Sequence, residues 1–305
     1  STGTAAQSGT IAIGRDAGTA INHTDASGTV AIGYQSQTAN LSGIGNVAVG
    51  YQSLLAHDQT DGCTAIGHMS LSDVTIDNDG FHTFVGYQSG RAVVSGSQNT
   101  GIGAKVMGNN SNTISGSNNI AVGHQSMEHA TGDINSNIGI GTDTLAVVDE
   151  GDKNIAIGQS ALKLLTAGQE NISIGRDSMD AADAAGYNIA IGSNALGTGT
   201  GTLDFNIAIG YDAMSTANHN DTHSNVAIGA YALDATTTNA LVGTVAIGYA
   251  ALSDNASAFT GNTAVGYQCM EKLDVGGSNT AVGYQALKSG TGEDFDGVVA
   301  IGYQA

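Results

Sequence analysis

The most regular feature of this chain is a short run in which β-branched and small residues alternate in front of a glycine. The residue directly before that glycine is Ile or Val, the residue three before it is Ile, Val or Thr, and the residue between them is usually Ala. Side chains two apart in an extended chain lie on the same face. The alternation therefore predicts a β-strand with one β-branched face and one face of small side chains, both of them buried.

This pattern recurs along the whole chain, and we call the glycine that ends it the repeat Gly. The seventeen copies end at Gly14, Gly33, Gly50, Gly67, Gly86, Gly103, Gly123, Gly141, Gly158, Gly175, Gly192, Gly210, Gly229, Gly248, Gly266, Gly283 and Gly302. A unit of 17 to 20 residues cannot bury its apolar residues alone, so successive units are predicted to stack. We interpret residues 1–305 as a single repeat domain, a piece of a longer fibrous protein.

The other columns of the repeat suggest how such a stack is held together. Asn stands four residues before the repeat Gly in eleven copies, and stacking would align these amides into a ladder. Leu or Met stands four residues after it in thirteen copies, which predicts a second short strand, Tyr-Gln-Ala-Leu. The clearest structural positions are Asn154, Ile155, Ile157, Gly158, Asn188, Ile189, Ile191, Gly192, Asn206, Ile207, Ile209 and Gly210. The remaining residues have turn chemistry.

Composition narrows the range of partners. The chain has 45 Gly and no Pro, and the absence of Pro fits strands whose backbone N–H groups are all needed for pairing. Acidic residues outnumber basic ones 27 to 8, for a formal charge of −19. Such a surface repels phosphate backbones, so we expect no nucleic-acid partner. Every apolar run is short, so we expect no membrane insertion by this segment.

Several copies resemble a known repeat. Asn-Ile-Ala-Ile-Gly at 154–158, 188–192 and 206–210, and Asn-Thr-Ala-Val-Gly-Tyr-Gln at 262–268 and 279–285, are similar to the head repeats of YadA-like trimeric autotransporter adhesins. Units that continue as Gly-Tyr-Gln-Ala-Leu also resemble repeats of bacteriophage tail fibres. The resemblance implies an all-β fold, a left-handed parallel β-roll (β-solenoid), with three chains side by side in a homotrimer. We assign the Ala and Gly face to the contact between chains.

Aromatic residues form a second column. Eight of the ten tyrosines directly follow a repeat Gly, so those in successive copies should stack along the solenoid. The C-terminal members are Tyr249, Tyr267, Tyr284 and Tyr303. Two interpretations stay open for this stripe: stacking that stabilises the corner or the trimer contact, which we favour, and a surface on which a sugar ring lies.

The sequence offers little to catalysis. The sequence shows no recognisable set of nucleophile, base and orienting residue. The carboxylates lie in loops of variable length, unlike the paired carboxylates of a glycosidase site. We therefore expect no enzyme and no cofactor. Acidic turns at 77–80, 149–152 and 293–296 leave calcium binding as an alternative. Cys63 and Cys269 lie eleven copies apart, too far for a disulfide, and are expected to be buried thiols.

These expectations combine into a functional hypothesis. The chain is predicted to be a structural and adhesive segment of a trimeric extracellular fibre, in first place a bacteriophage tail fibre on the virion. Its partners would be two further chains of the same protein and a glycan or protein receptor on the host surface. The alternatives are the head of a bacterial autotransporter adhesin at the cell surface, a polysaccharide-depolymerising fibre, and an ice-binding solenoid. An ice-binding surface would need a regular Thr array, and Thr occupies the position three before the repeat Gly in five copies only.

Overall fold

The chain divides into two compact units, residues 1–152 and 153–305. The computed structural model describes residues 8–21, 27–40, 42–56, 60–73, 80–91, 93–108, 113–197, 203–217, 222–234, 241–254, 259–273, 276–290 and 295–305. Both units are all-β over these residues, which include no helix. The single-domain interpretation of residues 1–305 stays a prediction, and each unit is described by itself.

Three-residue strands directly precede the repeat Gly in both units. The first unit has β1 (Ile11–Ile13), β2 (Val30–Ile32), β3 (Val47–Val49), β4 (Thr64–Ile66), β5 (Thr83–Val85), β6 (Thr100–Ile102), β7 (Ile120–Val122) and β8 (Ile138–Ile140). The second unit has β9 (Ile155–Ile157), β10 (Ile172–Ile174), β11 (Ile189–Ile191), β13 (Ile207–Ile209), β15 (Val226–Ile228), β17 (Val245–Ile247), β19 (Thr263–Val265), β21 (Thr280–Val282) and β23 (Val299–Ile301).

The turn-rich part of the second unit contains short strands that the sequence pattern did not indicate. They are β12 (Leu203–Asp204), β14 (Thr222–His223), β16 (Leu241–Val242), β18 (Phe259–Thr260), β20 (Lys272–Leu273) and β22 (Ser289–Gly290). β12, β14, β16 and β18 pair in parallel in that order, and β20 pairs with β22. Two residues are too few for a recognisable period of two, so these two small sheets are visible only in three dimensions.

Successive strands of each unit pair in parallel and without a register shift. Ile172 is the partner of both Ile155 and Ile189, and in the first unit Val47 is the partner of Val30. Copies whose strands pair therefore form successive coils of a stack, and each column of the repeat becomes a column along that stack. The predicted fold class is confirmed at this level: the protein is a parallel β-solenoid.

The segment after the repeat Gly, which we call the arc, turns sharply instead of forming the predicted second strand. In one coil Gly158 has φ 129°, and Ser160 and Leu162 have left-handed φ values of 57° and 51°. The arc still bonds neighbouring coils, because Leu162 N–H donates to Ser178 O at 3.0 Å. The prediction of a strand was wrong because a strand advances about 3.3 Å per residue in one direction, whereas a narrow coil has to reverse direction here.

The predicted Asn ladder is confirmed, and Asn188 shows its geometry. Its Nδ2 donates to Oδ1 of Asn171 at 3.0 Å on one side and to Leu203 O at 2.6 Å on the other. Its Oδ1 accepts the backbone N–H of Asn206 at 2.9 Å. Asn188 is fully buried, so the amide satisfies backbone groups that water cannot reach.

The small side chains at the strand centres point into the coil. Ala156, Ala190 and Ala208 are fully buried, as are the arc residues Leu162 and Leu196. The interior is narrow: a Cβ at Gly139 would lie 2.8 Å from Ser126 Oγ and 3.3 Å from Met127 Cε, both on the arc. Strand and arc therefore meet at close range, and only a small strand-centre residue leaves room for the Leu or Met opposite.

One coil breaks this rule and shows what the exception requires. Phe84 occupies the strand centre of β5 and is fully buried. Its ring takes the space that neighbouring side chains fill elsewhere, because a Cβ at Gly101 on the next coil would approach it to 2.3 Å. A Cβ at Gly90, on the arc of the same coil, would approach the ring to 2.7 Å. Two glycines thus accompany the single large residue.

This exception yields a prediction for an ordinary coil. Ala208→Phe should destabilise the second unit by about 3 kcal/mol, because overpacking a filled interior forces side chains and backbone to shift. The triple variant Ala208→Phe, Met214→Gly, Ala227→Gly copies the surroundings of Phe84 and should recover part of that loss. Thermal unfolding of the two variants and the wild type measures both effects. A single variant as stable as the wild type would contradict the narrow interior.

Candidate interaction surface

The β-branched side chains on either side of each strand-centre residue face outwards, and together they form what we call the outer face. Most of them are half-buried, and several count as exposed: Ile102 keeps 45% of its surface, and Ile228 and Ile247 keep 36% each. Because the coils are in register, these side chains form two parallel columns along each unit, mostly of Ile and Val with some Thr. No charged residue occurs at either column in any copy.

This arrangement corrects two expectations from the sequence. The β-branched face is not sealed inside the coil, and the Ala and Gly face does not meet neighbouring chains, since Ala208 and its equivalents Ala190 and Ala227 are fully buried. The physical reason is the Leu or Met of the arc, which fills the interior and leaves space for small strand-centre residues only. Any contact between chains through this sheet would therefore use the outward Ile, Val and Thr side chains.

The outer face also includes the Thr positions considered for ice binding. Thr64, Thr83 and Thr100 lie on successive strands as direct partners, and each is half-buried and faces outwards. The expectation that this column is buried was wrong. Ile and Val continue the column in the neighbouring coils, for example at Val47 and Ile120, so the Thr array is three coils long here.

The C-terminal tyrosines stack as predicted. Tyr249, Tyr267, Tyr284 and Tyr303 follow one another with ring centroids 5.2, 5.2 and 5.3 Å apart and planes within 12°. Stacking on both sides covers the ring faces of Tyr267 and Tyr284, which leaves ring edges and hydroxyls exposed. A sugar would stack on an open ring face, so at Tyr267 and Tyr284 it would have to use edges and hydroxyls. Carbohydrate binding along the stripe stays a prediction.

A ladder of glutamine amides runs beside this stripe. Gln285 Nε2 donates to Gln268 Oε1 at 2.8 Å, and Gln304 Nε2 donates to Gln285 Oε1 at 3.0 Å. Lys288 Nζ also donates to Gln268 Oε1, at 3.1 Å, and pairs with Glu271. The corner is therefore bonded from coil to coil by both rings and amides, which supports the structural interpretation of the tyrosine stripe.

The first unit has a similar aromatic run with a histidine in it. His68 lies between Tyr51 and Tyr87, with ring centroids 4.9 and 5.3 Å apart, and Tyr34 stacks on Tyr51 at 5.3 Å. The aromatic column predicted from the sequence contains tyrosines only and leaves out His68. The signal was present, because His68 directly follows repeat Gly67 as the tyrosines follow theirs.

Carboxylates dominate the rest of the surface. Seven of the eight basic side chains pair with an acid: Arg15, Arg91, Lys105, Lys153, Arg176, Lys272 and Lys288. The acids left over include Asp234, whose Oδ1 is buried without a hydrogen-bond partner. Burial, together with Asp212 and Asp254 nearby, raises the pKa of Asp234 to about 6. Phosphate groups would meet a negative surface.

The acidic turns do not converge on a metal site where the structure describes them. Asp149 accepts a hydrogen bond from the Thr131 hydroxyl, and Asp152 Oδ1 accepts the backbone N–H of Asn135 at 2.6 Å. Within the described ranges no three His, Cys, Asp or Glu side chains are grouped to hold an ion. Residues 77–79 and 291–294 lie outside those ranges, and calcium binding stays a prediction.

Cys63 and Cys269 are fully buried free thiols, as predicted. Burial raises the pKa of both, so neither forms a ready thiolate. Cys269 Sγ contacts Ala281 O on the next coil at 3.3 Å, as Ser178 Oγ does with Ala190 O. Cys269 therefore makes the same contact with a strand-centre carbonyl as an arc serine does, and its role is structural.

Comparison with family models, with curated proteins and with solved structures finds no match to this chain. In the part of the chain that the structure covers, no helix has the length and apolar character needed to cross a bilayer.

Proposed function

We propose that this chain is the structural and adhesive segment of a homotrimeric extracellular fibre, and that the fibre is a bacteriophage tail fibre. In this proposal each of the seventeen copies adds one coil to a left-handed roll, and three rolls pack side by side through the outer face. The observation that carries the proposal is the pair of outward-facing columns, mostly Ile and Val, whose side chains stay partly exposed to solvent.

The chemistry of the outer face suits a contact between identical chains. Its columns are apolar and free of charged residues, and the core of a protein interface is depleted of charge in the same way. Contiguous exposed apolar surface of this kind usually marks an interaction site. Because the columns have the same spacing in every chain, neighbouring chains could pack these columns in register within each unit.

A charge on the outer face should break this contact. The double variant Ile228→Glu, Ile247→Glu is expected to shift the native mass from three chains to one, because burying an unpaired carboxylate in an apolar interface is costly. The fold of the single chain should persist, because both positions are already partly exposed. Native mass spectrometry and circular dichroism measure the two properties separately.

Leu164→Glu is the matched control. Leu164 is an apolar residue with 48% of its surface exposed, but it lies six residues after a repeat Gly, outside the outer face. This variant should remain trimeric. A wild-type chain that is monomeric in solution would refute the assembly, and a trimer that tolerates the double variant would exclude the outer face.

The trimer would act by presenting its loops to a receptor in three copies. Three weak contacts on one particle raise avidity by about 10²–10⁴-fold over a single contact. The receptor is proposed to be a host-surface glycan or protein, and the segment itself to be no enzyme. Labelled wild-type protein should bind a susceptible bacterial strain far better than the monomeric double variant, without releasing reducing ends from its capsule. Steady release would favour a depolymerase instead.

A further inference from the structure

His82 occupies a position that Asn fills in most other coils. It stands four residues before repeat Gly86, within the Asn ladder, and it is buried. Its Nδ1 accepts the backbone N–H of Asn99 on the next coil at 3.3 Å. The ring also hydrogen-bonds the backbone of Gly96. These partners match those of a ladder asparagine, since Asn119 Oδ1 accepts from Asn137 N–H and its Nδ2 donates to Ile134 O.

An imidazole can imitate an asparagine amide in one protonation state only. Nδ1 must carry a lone pair to accept from Asn99, and the other ring nitrogen must carry a proton to donate to the Gly96 carbonyl. The protonated ring has two donors and no acceptor, so it would place an N–H against the Asn99 N–H. Asparagine does not titrate in this way.

We propose that His82 is an acid-sensitive rung of the Asn ladder, which weakens the junction between the coils of β5 and β6 when it is protonated. The proposal rests on the hydrogen-bond geometry of this coil and is independent of the proposed trimer. In the described part of the ladder, the other titratable member is Cys63, one coil earlier.

Burial of the His82 ring favours its neutral form. On the preceding coil lie the Cys63 thiol, whose pKa is raised by burial, and Asp61, whose Oδ1 accepts the Ile44 N–H at 2.7 Å. On the following coil lie Asn99 and Gly96, which do not titrate. Phe84 of the same strand is the nearest ring, with its centroid 6.2 Å away. Burial lowers the pKa of His82 from 6.5 to about 4, against a smaller opposing effect of the Gly96 hydrogen bond.

The direction of the pH effect follows from these values. Opening here means local unfolding that breaks the hydrogen bonds of His82 to the next coil. Between pH 6.5 and 4 the imidazole binds a proton in the open state but not in the closed state, so opening becomes more favourable as the pH falls. The opening equilibrium constant should rise by about tenfold per pH unit in this window, and by up to about 300-fold in all. Below pH 4 both states are protonated and the effect levels off.

The test compares the wild type with His82→Asn, which restores the ladder residue and removes the titration. Hydrogen exchange of the amides of residues 96–100 is measured for both proteins from pH 7 to pH 3.5, and their ratio at each pH cancels the intrinsic pH dependence. The wild-type amides should lose protection progressively relative to His82→Asn. The exposed histidine variant His124→Asn should behave like the wild type throughout.

A second measurement covers the case in which the variant fails to fold. Nitrogen chemical shifts of His82 in the wild-type protein should show an unprotonated Nδ1 at pH 7 and no ring protonation until well below pH 6. Parallel exchange profiles of the wild type and His82→Asn, or a His82 ring that titrates near pH 6.5, would overturn the proposal.

Discussion

Replacing Gly192 with Ala is expected to lower the free energy of unfolding of the second unit by about 3–5 kcal/mol. Gly192 has φ 136°, a backbone region that other residues rarely adopt. A Cβ there would lie 2.3 Å from the carbonyl oxygen of Gly210 on the next coil. The clash is with backbone and cannot be relieved by a side-chain rotation. Chemical denaturation of the variant and the wild type measures the loss.

Gly243→Ala serves as the control for a positive φ without a steric clash. Gly243 also has a positive φ of 63°, but a Cβ there would meet no atom within 4 Å. This change should cost about 1–2 kcal/mol, the penalty for a left-handed alanine. If Gly192→Ala cost no more than Gly243→Ala, close coil-to-coil packing at the repeat Gly would contribute nothing.

Removing one rung from the middle of the Asn ladder should be nearly as damaging. Asn188→Ala is expected to cost about 3 kcal/mol, because Leu203 O and the Asn206 N–H lose buried partners together. The cavity left by the amide adds to the loss. Denaturation monitored by circular dichroism provides the measurement.

Asn262 offers an internal comparison at a break in the ladder. Thr244 stands where the preceding Asn would be. Asn262 donates to Gly276 O at 3.0 Å and accepts from Asn279 N–H at 2.8 Å, and the Thr244 side chain offers no amide oxygen to it. Asn262→Ala should therefore cost less than Asn188→Ala. Equal costs would indicate that the amide-to-amide bonds between rungs add no stability.

The sequence predicted the repeat, the strands and the ladder because each depends on residues close together in one copy. Ile189, Ala190 and Ile191 alternate with a period of two, and Asn188 precedes them at a constant distance. Periodicity of this kind needs no knowledge of the other side of the coil. The tyrosine stack followed by the same logic, because residues at one position of a stacked repeat must become neighbours.

His82 and His68 show a limit of the same reasoning. His82 stands at a position of the Asn ladder and His68 at a position of the aromatic column. The repeat pattern predicts only which residue is usual at each position. What a substituted residue does depends on its partners: His82 meets the backbone of the following coil, whereas His68 meets two rings. The role of each histidine therefore follows only from its contacts in the folded chain.

What the amino-acid sequence determined by itself was that the chain stacks, with strands before each repeat Gly and a ladder of amides beside them. The tertiary structure decided which face of each strand is inside and how the arc turns. The physical reason is that alternation separates two faces without assigning either to the interior. Only the Leu and Met of the arc, buried in the same interior as Ala156 and Ala190, exclude the larger Ile and Val and turn them outwards.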